Sequence, residues 1–159
     1  MTNIEQSKKD AKSFLNENYI AVLATSQNDE PSASTVYYIM FDSYNFYFYT
    51  KHNSNKTKNI LQNPKVGLVV GFGPEHITVQ VVGEALRIED EEEKEKIFEK
   101  LMEMEQKNGV KMWPTDDTER FRGQKNEIFK IVPTEVSFLN LDSLKYPDSI
   151  SDEFVQIIP

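Results

Sequence analysis

The stretch that most constrains this chain is FYFYTKHNSNKTKNILQNPKV, residues 46–66, which forces a strand, a turn, a short helix and another strand into 21 residues. Phe46, Tyr47, Phe48 and Tyr49 are aromatic and Thr50 is β-branched, side chains that suit a pleated surface. Lys51-His52-Asn53 breaks the strand, and Asn53 or Ser54 is placed to cap the helix that follows. Ile60 and Leu61 give that helix its apolar side, Asn63-Pro64 stops it, and Val66 opens a new strand. The turn therefore gathers the Thr50 and Ser54 hydroxyls, the Lys51 and Lys56 ammoniums and the free N–H groups of a helix start. Oriented donors, the positive end of a helix dipole and cations suit a phosphate. Strand–turn–helix units of this kind are common, however, and most bind nothing. No glycine-rich phosphate loop or dinucleotide fingerprint is present, so the neighbouring strands must decide.

Composition narrows the choice. At 159 residues the chain is expected to form one domain with a sizeable core, and 38% hydrophobic with 28% charged residues is ordinary for a globular protein. A formal charge of −8 disfavours nucleic acid and anionic membranes as partners, although Lys51, Lys56 and Lys58 make a local positive patch. There is no cysteine, and the two histidines stand at 52 and 76, so neither disulfides nor a metal site is expected. The polar N-terminus has no apolar h-region and no run approaches spanning length, which makes the cytoplasm the expected location.

The rest of the chain reads mainly as strands. Residues 3–17 predict an amphipathic helix through Ile4, Ala11, Phe14 and Leu15. YIAVLATS (19–26) predicts a strand, residues 27–30 a turn, and PSASTVYYIMFD from Pro31 a second strand. On that strand Ala33, Thr35, Tyr37, Ile39 and Phe41 share one face, and Ser32, Ser34, Val36, Tyr38 and Met40 the other. Neither face is plainly polar, so both are expected to meet protein or ligand. Ser43-Tyr44-Asn45 then turns the chain back into the aromatic strand. KVGLVVGF (65–72) and ITVQVVGEALRI (77–88) predict two more strands, with Gly83 marking a bulge or a bend. The acidic run 89–93 leads into a helix reaching about residue 107, its acids read as dipole compensation rather than a metal site. Residues 108–125 read as a loop holding Trp113, Arg120 and Arg122, either functional or simply covering the core edge. Residues 126–141 give one or two strands around Pro133. Residues 1–141 form the domain, and 142–159 are a tail that is either mobile or docked on a partner subunit. The expected class is mainly β with helices (α+β), a six-stranded antiparallel barrel.

This order of elements resembles the pyridoxamine 5′-phosphate oxidase-like family of FMN-binding split barrels. The resemblance is carried by AVLAT at 21–25, PSASTVYYI from Pro31, FYT followed by Ser54-x-Lys56, Asn59-Ile60-x-x-Asn63-Pro64-x-Val66, and VVGEA at 81–85. It covers roughly residues 10–140 and lies closer to the general-stress-protein branch than to the oxidase of vitamin B6 synthesis. The resemblance implies FMN as cofactor, with backbone near Val36 and Tyr37 meeting the isoalloxazine ring. It implies a phosphate held at Ser34, Thr50, Ser54, Asn55 and Lys56, with Tyr49, Lys51 and Thr78 as further cofactor-binding positions. The true oxidase tends to carry arginines where this chain has Ser34 and Asn55, and a glutamine where it has Thr78. Two fewer cations imply weaker phosphate binding, since a hydrogen bond to a charged group contributes about 1.5–3 kcal/mol.

The implied function is a flavin-dependent oxidoreductase of unknown substrate, in which FMN carries hydride or electrons and no side chain is assigned a catalytic role. The alternatives are a non-catalytic flavin-binding or sensing module, and a same-fold protein using haem, with His52 or His76 as ligand, or a deazaflavin. A homodimer is expected, with the cofactor near the subunit interface, since strands apolar on both faces leave surface to cover.

Little or no pyridoxamine 5′-phosphate oxidase activity is expected, because the substrate's own phosphate needs cations and residues 126–159 contain only Lys130 and Lys145. Arg120 and Arg122 are the nearest others, beside Asp116, Asp117 and Glu119. FMN-loaded protein incubated with pyridoxamine 5′-phosphate and oxygen should form no pyridoxal 5′-phosphate catalytically. Sustained turnover abolished by Arg120→Ala or Arg122→Ala would contradict this.

Overall fold

A computed structural model describes residues 3–110 and 126–158; Trp113, Arg120 and Arg122 lie outside the described residues. Helix α1 (Ile4–Glu17) starts at Asn3, whose Oδ1 accepts from the N–H groups of Glu5 (3.1 Å) and Gln6 (3.4 Å). Strands β1 (Ile20–Gln27) and β2 (Glu30–Tyr37) form a hairpin. Its two turn residues, Asn28 and Asp29, both have positive φ (51° and 62°), the geometry whose twist matches the flanking strands. Then come β3 (Ile39–Phe41), β4 (Asn45–Lys51), α2 (Asn55–Gln62), β5 (Lys65–Gly71), β6 (Ile77–Arg87), α3 (Glu91–Asn108), β7 (Asn126–Asn140) and β8 (Val155–Ile158).

The strands make one antiparallel sheet in the order β2-β1-β5-β6-β7-β4-β3, with β8 on β7. It curls into a half-barrel, a split barrel as expected, and its two arms approach each other where β2 meets β4. The concave side is filled by Leu23, Phe46, Phe48, Leu68, Val79, Phe129 and Phe138, all fully or almost fully buried. A second cluster, Tyr47, Ile88, Ile97, Leu101 and Ile128, packs α3 against the other side of β4 and β7.

Eight strands appear among the described residues where six were expected, for two local reasons. The strand expected from Pro31 is interrupted at Tyr38, which is buried and pinned: its N–H donates to Tyr19 O (2.9 Å) and its hydroxyl to Leu15 O (2.8 Å). The segment before it stays with β1 and the segment after it joins β4. The second reason is the tail, where β8 pairs with Val136–Phe138 of the same chain. One edge of β7 carries β6; the other carries β4 up to Ile131 and β8 beyond it. The tail is also tied down by Lys145, whose Nζ lies 2.9 Å from both Glu17 and Glu75. The Lys145 hydrogen bond is the largest influence holding the Glu17 carboxyl below its ordinary value.

Gly83 sits where β6 and β7 change register: Val82 faces Glu135 and Gly83 faces Pro133, leaving Thr134 as the extra residue of a bulge. A Cβ on Gly83 would collide with the Val132 carbonyl oxygen and crowd Pro133 Cα, backbone atoms with no freedom to move aside. At Gly67, by contrast, a Cβ would meet Ala24 Cβ at 3.7 Å and Val81 O at 3.8 Å, ordinary contacts. Gly83→Ala should therefore lower stability by about 2–3 kcal/mol while Gly67→Ala costs well under about 1 kcal/mol. Denaturant melts of the two variants check this, and equal midpoints would contradict it.

Candidate functional site

The turn between β4 and α2 is built on the carbonyl of Lys51. That oxygen accepts from Ser54 N–H (3.1 Å), closing a four-residue turn, and from the Thr57 hydroxyl (2.8 Å). Ser54 is the N-cap of α2, its Oγ accepting from Thr57 N–H at 3.2 Å. The same Oγ lies 2.9 Å from Thr57 Oγ1 and 3.0 Å from Thr50 Oγ1. Each hydroxyl has one proton, and Thr57 spends its own on Lys51. The chain must then run from Thr50 to Ser54 to Thr57 to the Lys51 carbonyl. Thr50 heads it, with two lone pairs unspent.

Helix α2 is fixed to β1 by two side-chain amides: Asn59 Nδ2 donates to Thr25 Oγ1 (3.0 Å) and Asn63 Nδ2 to Ser26 Oγ (3.0 Å). Thr57 and Ile60 are its buried residues. With Thr57 N–H bonded to Ser54, the N–H groups of Asn55 and Lys56 have no acceptor among the described residues. Lys56 is half-buried and has no carboxylate partner among the described residues; burial pushes its ammonium below the ordinary lysine value. Lys51 and Lys58 are exposed. Two bare N–H groups, the positive helix end and an unpaired ammonium together fit the oxygens of a phosphate monoester.

Thr50, Lys51, Ser54, Asn55 and Lys56 are thus brought together. The curl brings the β2 residues Ser34, Val36 and Tyr37 to the arm that approaches β4. Ser34 is half-buried opposite Leu23, and Val36 is buried in the main core. Tyr37 stacks on Tyr19 with ring centroids 6.3 Å apart and, like Tyr49, packs on the cluster beneath α3. Burial above all, with the charge of Glu105 and the Tyr37 phenol, pushes the Tyr49 phenol up. Thr78 stands apart: it is buried and donates to Val70 O at 3.1 Å. Its partner on β7 is Leu139, whereas the partner of Thr50 is Glu127, twelve residues and roughly 40 Å of strand away.

Three contributors were missed from sequence. Thr57 completes the hydroxyl chain, and the Ser-x-x-Thr spacing at a helix start was the signal for it. Thr25 anchors α2, for which nothing in its own strand gives a sign. Glu127, buried at the start of β7, lies 2.6 Å from His52 Nδ1 across 75 positions of chain, a pairing no local pattern reveals.

A groove of about 630 Å³ opens between the end of α1, β3 and the second half of α3, lined by Tyr19, Tyr38, Phe41, Lys100 and Met104 among others. It lies beside the Tyr19–Tyr37 stack rather than at the turn.

The family model described as pyridoxamine 5′-phosphate oxidase matches residues 7–140 of this chain. Among curated proteins, the pyridoxine/pyridoxamine 5′-phosphate oxidase of Rippkaea orientalis is 36% identical over 75 residues, 47% of this chain and 35% of that protein. The chain therefore spans about a third of that relative's length. Two solved structures share the fold. The General Stress Protein 26 of Bacillus anthracis has a TM-score of 0.64 at 21% identity, covering 94% of this chain and 97% of that one. An FAD-binding protein from Mesorhizobium loti has a TM-score of 0.64 at 18% identity, covering 82% and 91%. With the match to the family model spanning most of its length, the chain belongs to the pyridoxamine 5′-phosphate oxidase family of split barrels.

Proposed function

We propose that this protein binds FMN and acts as a flavin-dependent oxidoreductase on a small substrate. The observation that carries the reading is the turn at the end of β4. There a half-buried Lys56 and two N–H groups, all without an acceptor among the described residues, stand over a hydroxyl chain, in a protein of net charge −8. The FMN phosphate would be held by the Asn55 and Lys56 N–H groups and Lys56 Nζ, with the Thr50 hydroxyl turning its proton from Ser54 to a phosphate oxygen. A lysine partly stripped of water and lacking a carboxylate is held at a cost that a dianion offsets. FMN when bound supplies the hydride and electron chemistry.

The edge strand β2 supports the other half of the site. Among the described residues β2 is hydrogen-bonded only to β1, so alternate backbone groups from Ser34 to Tyr37 face away from the sheet. Such groups suit the polar edge of an isoalloxazine ring. The groove beside the Tyr19–Tyr37 stack is in the size range of small-molecule sites and gives a substrate or electron donor a route in.

A second copy of the chain completes the arrangement. Ile20 and Val22 of β1, Val69 of β5 and Val82 of β6 are exposed, on the face of the sheet turned away from the core. Val22 pairs with Val69 in register, and the small residues Ala24 and Gly67 stand opposite each other beside them. A smooth apolar sheet face beside a free edge suits a twofold partner, with the flavin near the boundary.

Two measurements follow. Lys56→Ala should weaken FMN at least about tenfold, by loss of a charge-assisted bond, whereas Lys58→Ala, about 200° further around the helix, changes it little. Flavin fluorescence titrations decide this, and equal affinities remove Lys56 from the site. Light scattering at micromolar concentration should give twice the 18.4 kDa chain mass; the monomer mass would count against the shared site.

A further inference from the structure

We propose that His52, braced by Glu127, is a second cationic contact to the phosphate beside Lys56, so that binding of the phosphate is coupled to uptake of a proton. This role presupposes the phosphate reading of the turn. It concerns a residue pair which that reading leaves unused.

His52 occupies the second position of the turn closed by Ser54 N–H and the Lys51 carbonyl, between the Thr50 and Ser54 hydroxyls in sequence. It is at once tethered and open. Its Nδ1 lies 2.6 Å from Glu127 Oε1, while about half of its side chain remains exposed. Glu127 is directly opposite Thr50 in the β4–β7 ladder and its side chain is only 11% exposed, so the carboxylate is a fixed post on a barrel strand. A carboxylate at Nδ1 accepts a hydrogen bond from Nδ1–H and so keeps the ring proton on that nitrogen. In the neutral ring, Nε2 then carries a lone pair, which repels a phosphate oxygen. Only the imidazolium presents an Nε2–H donor and a positive charge. A phosphate contact through His52 therefore requires a second proton on the ring.

The surroundings favour that state when a dianion arrives. From β6, Arg87 Nη1 approaches the same Glu127 oxygen at 3.8 Å, while its Nη2 donates to Glu89 at 2.9 Å. On the turn and in α2 the charged neighbours in sequence are Lys51, Lys56 and Lys58. A bound phosphate dianion adds negative charge beside these groups, which favours the imidazolium over the neutral ring. Among the described residues Glu127 is the carboxylate paired with the ring, and it reaches His52 from the neighbouring strand rather than from the turn itself.

The test is calorimetric titration of FMN into wild type, His52→Gln, His52→Arg and Glu127→Gln, in two buffers of different ionisation enthalpy. FMN itself titrates near neutrality, so the decisive quantity is the difference from wild type. His52→Gln should bind about tenfold more weakly at about pH 6.5, match wild type at about pH 9, and lose the extra proton uptake. His52→Arg should keep the affinity at both pH values without the uptake, and Glu127→Gln should diminish the uptake. If wild type binds FMN and His52→Gln equals it in affinity and proton uptake, His52 has no such role, and the flavin reading stands. A loss in His52→Gln that is the same at both pH values makes the pair structural only and overturns the coupling. Failure of wild type to bind FMN overturns both.

Discussion

The architecture depends on a close approach between β6 and β7. At Gly83 the two backbones come so near that no side chain fits, and Thr134 is squeezed out as a bulge. Bulges increase local twist and bend a ribbon. Bent there, the fifteen-residue β7 accepts β4 along its first half and β8 along its second, while β6 runs along its opposite edge. This is what turns a flat sheet into a half-barrel with Phe46, Phe48, Phe129 and Phe138 inside it. It also sets the end of β4 beside the start of β7, and so Thr50 opposite Glu127.

The site is a consequence of that placement. Strand β4 ends where its backbone must turn, and the Lys51 carbonyl gathers two donors that pull α2 into position. Asn59 and Asn63 then hold the helix on β1, so its N-terminal N–H groups are fixed by bonds made elsewhere. Preorganised donors of this kind cost little reorganisation when an anion arrives, which matters in a chain whose net charge of −8 repels anions at long range. Attraction has to be local, and Lys56 is a half-buried local cation with no carboxylate to quench it among the described residues.

Much of this was legible in the sequence because local chemistry and global fold agree. Ser54 and Asn63-Pro64 mark helix ends that the structure keeps, and Gly83 marks the bulge. The break at Tyr38 was not legible, because apolar alternation runs through it unbroken; only the tertiary bond from its hydroxyl to Leu15 O shows why the strand changes partner. Strand β8 was missed for a similar reason. FVQII is too short to assign without knowing that half of the β7 edge stands open for it. At the site, the turn residues were readable as a group since they are contiguous. The distance of Thr78 from them, and the grip of Glu127 on His52, are set by strand register over tens of residues and have no local signature.

The central claim is that the turn between β4 and α2 is a phosphate seat for a flavin. It is tested most directly by comparing FMN with riboflavin, which has the same ring and ribityl chain but no phosphate, in fluorescence titrations of the wild-type protein. Two or more charge-assisted hydrogen bonds to the phosphate imply that FMN binds at least about a hundredfold more tightly. Equal affinities for the two, or no affinity for either, would contradict the account.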